Sequence, residues 1–380
     1  MKIKDVRAYV LESPLKPEEY FTWAQSQVTK RVATIVEVET DEGITGVGEA
    51  FGFSPMATKA MVENSLRPRL IGENPIDTNR LWDMLYTITR MEGQKGVALM
   101  ALSAVDIALW DIKGKFWQAP VADLLGGRYR QKVETYPTGL YRKNVPDQTQ
   151  ALIAEALGYL QQGYKAMKLK IGFGLQDDLQ KIKAIRKAIG PEVRLMLDAN
   201  CAYNASEAIW LGKRIEDLDI FWFEEPIPPE DIQGHLEFKA KVNIMLAAGE
   251  SEFSRYGFRD LISRRAVDII QPDLCAVGGY SEMLKIIAMA TAWNLRCIPH
   301  VWGTAVGLAA NLQLQAAMPH FPTSLNPEES LMEYDRTPNP LRNELVEEEF
   351  LMDGTKMIIP FRPGLGITLN RKTVEKYRVA

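Results

Sequence analysis

The alternation of apolar and polar positions changes its period twice along the chain. KIKDVRAYVLES and TIVEVETDEGITGVGEAFG alternate with a period of two around Asp41-Glu42-Gly43, which predicts antiparallel strands joined by a tight turn. From about Met56 the period becomes helical, through MATKAMVENSLRPRLIG and then ALMALSAVDIALWDIKGKFW, whose apolar residues cover most faces. Such a helix needs cover on several sides, so it is expected between two bodies of structure. Strands followed by helices make an α+β unit, expected to end near LLGGRYR.

Beyond that point short apolar segments return about every 25 to 30 residues: VETYPTGLY, KAMKLKIG, VRLMLDAN, IFWFEEP, IMLAAGE, VDIIQPD, LRCIPH and LMEYD. Helical stretches such as DDLQKIKAIRKAIG and SEMLKIIAMATAWN separate them. Strands alternating with helices imply right-handed βαβ units, and eight of them match a (β/α)8-type barrel. The tail breaks this rhythm with Pro338, Pro340, Pro360, Pro363 and a Gly364-Leu365-Gly366 turn. The expected organisation is an α+β capping domain over 1–127, a barrel over 128–336, and a segment over 337–380 that packs back on the cap.

Composition narrows the partners. The 380 residues are 46% hydrophobic and 25% charged, ordinary values for a folded protein with a large core. Forty-five basic against 49 acidic residues leave a net charge of -4, with no global field to draw nucleic acid or an anionic membrane. Small-molecule chemistry is the expectation. Three cysteines, Cys201, Cys275 and Cys297, form no CxxC pair, and no window suggests a signal peptide or a membrane span, so a cytoplasmic setting is expected.

Candidate chemistry lies where the barrel strands end. A charge inside a parallel barrel strand costs several kcal/mol unless paired or metal-bound, yet nearly every strand ends in one. Asp198, Glu224 and Glu250 recur at intervals of 26 residues, so successive strands aim three carboxylates at one point. Crowded carboxylates repel, and hard oxygen donors select Mg²⁺. The competing reading is that each merely caps the following helix. Lys168 and Lys170 share one face of their strand and should point into the barrel, where burial and like charge would make one a neutral base. Solvated lysines on an edge strand are the alternative. His300, ending LRCIPH, has Asp273 on the preceding strand end as a partner that could raise its basicity, whereas His235 and His320 are expected to be structural.

With a substrate carboxylate at the cation, lysine on one side and histidine on the other, the site suits removal of an α-proton. A gap on the order of 15 pK units, about 20 kcal/mol, is more than base strength alone can close. The enediolate must be stabilised by the cation, a lysine and a donor such as a protonated Glu333. Return of a proton to the same carbon gives racemisation or epimerisation; loss of a β-substituent gives elimination.

The set KLK, DAN, EEP, AGES, QPD and PHVWG, in this order, resembles the enolase superfamily and within it the mandelate racemase group, over essentially the whole chain. The resemblance implies one Mg²⁺ held by Asp198, Glu224 and Glu250, a base at Lys170 assisted by Lys168, a second base at His300 paired with Asp273, and Glu333 hydrogen-bonded to the enediolate oxygen. QPDLCAVGGYSE, PHVWGT and MEYDRTPNPLR look most like the acid-sugar branch, whose members open sugar-acid lactones or dehydrate acid sugars. It further implies substrate contacts from the capping loops at Tyr20, Phe21, Trp23 and Phe53, and from Asn200 and Trp302. Against this, each aromatic could instead pack the domain interface. A homo-oligomer, with an octamer as one form, is the family expectation. Other classes remain open: a Schiff-base aldolase using Lys168 or Lys170, or a barrel kept only for binding.

Overall fold

A computed structural model describes all 380 residues. Three strands, Ile3–Pro14, Lys30–Thr40 and Thr45–Ala50, form the antiparallel sheet of the cap, with Gly43 supplying a φ of 80° in its tight turn. A two-stranded hairpin, Phe21–Trp23 against Ser26–Val28, rises from this sheet.

The helix Val97–Phe116 buries 16 of its 20 residues. One face lies on the strand Thr45–Ala50, where Gly46 and Gly48 let the backbones touch. A Cβ on Gly48 would stand 2.0 Å from the Ala104 carbonyl oxygen. Its other side meets the barrel: Trp110 donates to Ser281 Oγ at 3.0 Å, and Ser281 N–H donates to Asp106 at 2.9 Å. The helix therefore lies between cap sheet and barrel, as its apolar faces require. We expect Gly48→Ala to force helix and strand apart at a cost of about 1–3 kcal/mol, visible as a lower urea midpoint.

Eight parallel strands build the barrel: Lys132–Thr138, Ala166–Lys170, Arg194–Asp198, Ile220–Glu224, Leu246–Ala248, Ile269–Ile270, Arg296–Cys297 and Leu331–Asp335. The eighth pairs with the first in parallel, from Leu331 opposite Glu134 to Asp335 opposite Thr138. Tyr136, Ala166, Met196, Trp222, Ala247, Ile269 and Leu331 fill the interior as a packed apolar plug. Met167, Leu169 and Ile171 face outward into the helical layer, so Lys168 and Lys170 point in. The register sets Lys170, Asp198 and Glu224 side by side on three adjacent strands. Helices cover this sheet, and the lysines are not on a solvated edge.

The tail is not confined to the cap. Lys356–Ile358 pairs antiparallel with the start of the first barrel strand. That strand pairs with the second only at Thr138 opposite Lys168, so its first residues offer a free edge. The last residues do reach the cap, where Val10 N–H donates to the Ala380 carbonyl at 2.9 Å and Arg371 pairs with Glu37. No helix is long and apolar enough to cross a membrane.

Two cap residues grip the barrel near its C-terminal mouth. Glu49, buried, accepts from Thr304 N at 2.9 Å and Gly307 N at 2.6 Å, at the start of the helix Ala305–Ala317. Arg31 donates to Asp335 at 2.8 Å and to Thr337 at 3.1 Å, with its guanidinium 4.3 Å from the Trp302 ring centre.

Candidate active site

At the C-terminal ends of the strands, Asp198, Glu224 and Glu250 each present a carboxylate oxygen within 4.8 Å of the others. Asn200, in the left-handed region at φ 43°, turns the chain back so that its N–H donates to Asp198 at 2.9 Å. Trp222 Nε1 and Gln271 Nε2 both donate to Glu224 Oε2 at 2.9 Å. These contacts aim the carboxylates inward, which is not the geometry of helix caps.

Lys168, with 0% of its side chain exposed, sits 2.7 Å from both Glu224 and Glu333. Lys170 pairs with Asp198 and donates to Asn200 Oδ1 at 3.1 Å. Its side chain keeps 7% exposure. The sequence predicts a neutral amine here, and the arrangement opposes it. Burial lowers the Lys168 pKa, but Glu224 and Glu333 outweigh burial and raise it well above the ordinary lysine value. Lys170 is likewise raised: burial pulls it down, Asp198 overrides, and the Lys168 charge works against the rise. Ion pairing wins over desolvation because each ammonium touches carboxylates directly, Lys168 two of them at 2.7 Å.

His300 Nδ1 lies 2.7 Å from Asp273 Oδ2, and Asp273 Oδ1 accepts from Cys275 N–H at 2.7 Å. Burial lowers the imidazole, while Glu250, Glu333 and the bond to Asp273 push it up to about 10. Its other nitrogen, Nε2, faces Glu250 at 3.4 Å and Glu333 at 3.9 Å. Glu333 accepts from Thr138 Oγ1 and from Val301 N–H at 3.1 Å. Burial alone would raise its pKa, but Lys168 and His300 hold it below the usual range. Glu333 is thus an ionised acceptor in this arrangement, not the protonated donor expected from sequence.

Asp198, Glu224, Glu250, Asp273 and Glu333 crowd five carboxyl groups against Lys168, Lys170 and His300, and burial pushes the Glu224 carboxyl up to about 7. Glu250 Oε2 is buried without a hydrogen-bond partner. Crowded carboxyls that resist full ionisation on their own, hard oxygen donors and an orphaned carboxylate oxygen fit a divalent cation such as Mg²⁺.

The aromatic residues divide. Phe21 is fully buried, packed 4.7 Å from Tyr141 and 6.1 Å from Trp302 between ring centres, so it supports the lid and does not face a substrate. It lies at the base of the hairpin, where cap meets barrel; Trp23 is nearer the tip. Tyr20 packs half-buried against the same cluster. Trp23 and Phe53 are 6.4 Å apart, and Phe53 is 5.2 Å from Phe51. Phe51, which opens the expected capping loop 51–55, packs edge-on against the His300 ring at 5.5 Å. Tyr141 was missed; its ring centre lies 5.4 Å from Lys170 Nζ. Its signal was position alone, just past a strand end. His235 is buried with Nε2 3.1 Å from the Ile227 carbonyl, and His320 stands beside Arg130, both away from the carboxylates.

Fold and site define a capped-barrel enzyme of lyase or isomerase type. The mandelate racemase / muconate lactonizing enzyme N-terminal domain matches residues 6–126, and the enolase C-terminal domain-like family matches 151–373. The chain belongs to the mandelate racemase group of the enolase superfamily. It is 43% identical to a D-galactarolactone cycloisomerase of Agrobacterium fabrum over 379 residues, covering 100% of this chain and 99% of the relative. A crystal structure of the 3,6-anhydro-D-galactonate cycloisomerase from Zobellia galactanivorans superposes with a TM-score of 0.90 at 38% identity, covering both chains fully, at 100% each. An L-talarate/galactarate dehydratase mutant, solved with Mg and L-glucarate, gives a TM-score of 0.86 at 28% identity over 100% of this chain and 92% of that one.

Proposed function

We propose that this enzyme removes the proton α to the carboxylate of an acid sugar or its lactone and then expels a β-oxygen substituent. The observation that carries this reading is the pair of proton-moving groups, Lys170 and His300, that flank one carboxylate trio from different strands. The kinship with sugar-acid cycloisomerases and a sugar-acid dehydratase supports it.

Bound among Asp198, Glu224 and Glu250, Mg²⁺ would supply positive charge to hold the substrate carboxylate and offset the charge that develops on it. The chain's own residues do the rest. Lys168, fixed between Glu224 and Glu333, places a second positive charge beside the reacting carboxylate and favours loss of a proton from Lys170. With Asp198 drawn to the ion, Lys170 would lose the counter-charge that keeps it protonated, release that proton to solvent, and take the α-proton on its neutral Nζ. His300, protonated at neutral pH and oriented by Asp273, delivers a proton from Nε2 to the departing oxygen. Phe51 and the lid keep bulk water from the imidazole.

Aldonates, aldarates and their lactones incubated with Mg²⁺ should give, for one of them, a product lacking the β-substituent by NMR. EDTA should abolish the reaction and Mg²⁺ restore it. Product differing from substrate only at the α-carbon would replace elimination by epimerisation. Turnover indifferent to EDTA, with borohydride trapping of a lysine adduct, would overturn the reading in favour of an aldolase.

A further inference from the structure

We propose that the aromatic wall laid over His300 by the cap selects substrates with a single carboxylate and turns diacids away. This rests on the reading above, in which one carboxylate binds at the acidic trio. From His300 outward the rings run Phe51 at 5.5 Å, then Phe53 a further 5.2 Å, then Trp23 a further 6.4 Å. Phe53 is 54% exposed, an unusual state for a large apolar side chain beside a polar site.

The two lid segments, FTWAQSQV and FGFSP, carry no charged residue. The cations around the mouth are already engaged, except Arg142, which is half exposed and makes no hydrogen bond to a carboxylate. Arg31 is buried on Asp335. Arg142 leans over Phe173 and toward Asp177 at 3.6 Å, and Lys95 is held by Glu252 at 2.8 Å. Lys168 and Lys170 belong to the carboxylate trio and Glu333. Gln25 spends its side-chain amide on the Asn200 carbonyl at 2.9 Å.

A substrate whose first carboxylate sits at the trio extends its far end toward this wall. A second carboxylate laid against the rings of Phe51, Phe53 and Trp23 would lose hydration and find no charged partner on either lid segment. A neutral ring or a hydroxymethyl end buries its C–H surface against the aromatic rings instead. The wall thus reads the charge at the far end of the substrate.

The test measures binding apart from turnover. Calorimetry on Mg²⁺-supplied Lys170→Ala protein, with aldonates and with aldarates of the same configuration at the α- and β-carbons, should show the diacids weaker by at least roughly 100-fold. Phe53→Arg, a change at an exposed position, should strengthen diacid binding by at least roughly tenfold, while Phe53→Leu should not. Diacids that bind as tightly as monoacids would overturn charge selection. Should no acid lose its β-substituent by NMR with the wild-type enzyme and Mg²⁺, the proposed reaction fails while the binding ratio still decides on the wall. Absence of binding by both classes would overturn both.

Discussion

A Lys170→Ala enzyme is expected to fold normally and to turn over roughly 10²–10⁴-fold more slowly, the usual weight of a positioned base. Both lysines point into the barrel, but they are not equivalent. Lys168 is sealed between Glu224 and Glu333 with no exposure, so its ammonium is a fixed charge beside the trio. Lys170 retains 7% exposure, faces the Tyr141 ring and touches Asp198 at one edge of the trio. It is the amine a substrate carbon can approach. The loss should fall on kcat more than on KM, because the carboxylates and the lid are untouched, and added methylamine should recover part of the rate. Near-wild-type turnover in Lys170→Ala would remove it as the base and leave His300 as the group to test.

Lys168→Met should instead act on stability, at about 3–5 kcal/mol, since it strands Glu224 and Glu333 as buried carboxylates without their shared counter-charge. Urea titration checks this directly. The deficit should shrink when Glu333→Gln is added, because one of the stranded charges is then gone. Saturating Mg²⁺ should also narrow it by binding the folded state. The pH dependence has a definite sign. The folded-state pKa of Lys168 is raised, so its contribution is complete at neutral pH and fades only as pH rises past the range where free lysine titrates. A cost under about 1 kcal/mol would mean that other groups hold these carboxylates.

The eight barrel strands were legible because each is a short apolar run and nearly all of them end in a charge, a combination that parallel sheets rarely tolerate without a purpose. The carboxylate trio was legible for the same reason, through its even spacing. The charge state of the lysines was not. Desolvation and ion pairing push an amine in opposite directions, and only distances such as 2.7 Å from Lys168 to Glu224 decide between them. Glu333 escaped for a related reason: whether it donates or accepts depends on Lys168 and Val301, which are remote in sequence. Phe21 and Trp23 look alike in the chain, two residues apart on one face of a hairpin, yet one is buried at the base and the other lies nearer the tip. The strand Lys356–Ile358 could not be assigned to a sheet, because proline and glycine mark turns without naming the edge that follows them.

The carboxylate that Glu49 places on Thr304 and Gly307 ties substrate choice to catalytic alignment, because the stretch it grips begins only a few residues after His300. Lids of related enzymes are therefore not interchangeable parts. A graft meant to alter selectivity would need to keep the strand Thr45–Ala50 native to its recipient barrel, with the exchange confined to the hairpin and to the loop after Ala50. Chimeras cut at the outer boundary of the cap would risk a misaligned imidazole along with their new specificity.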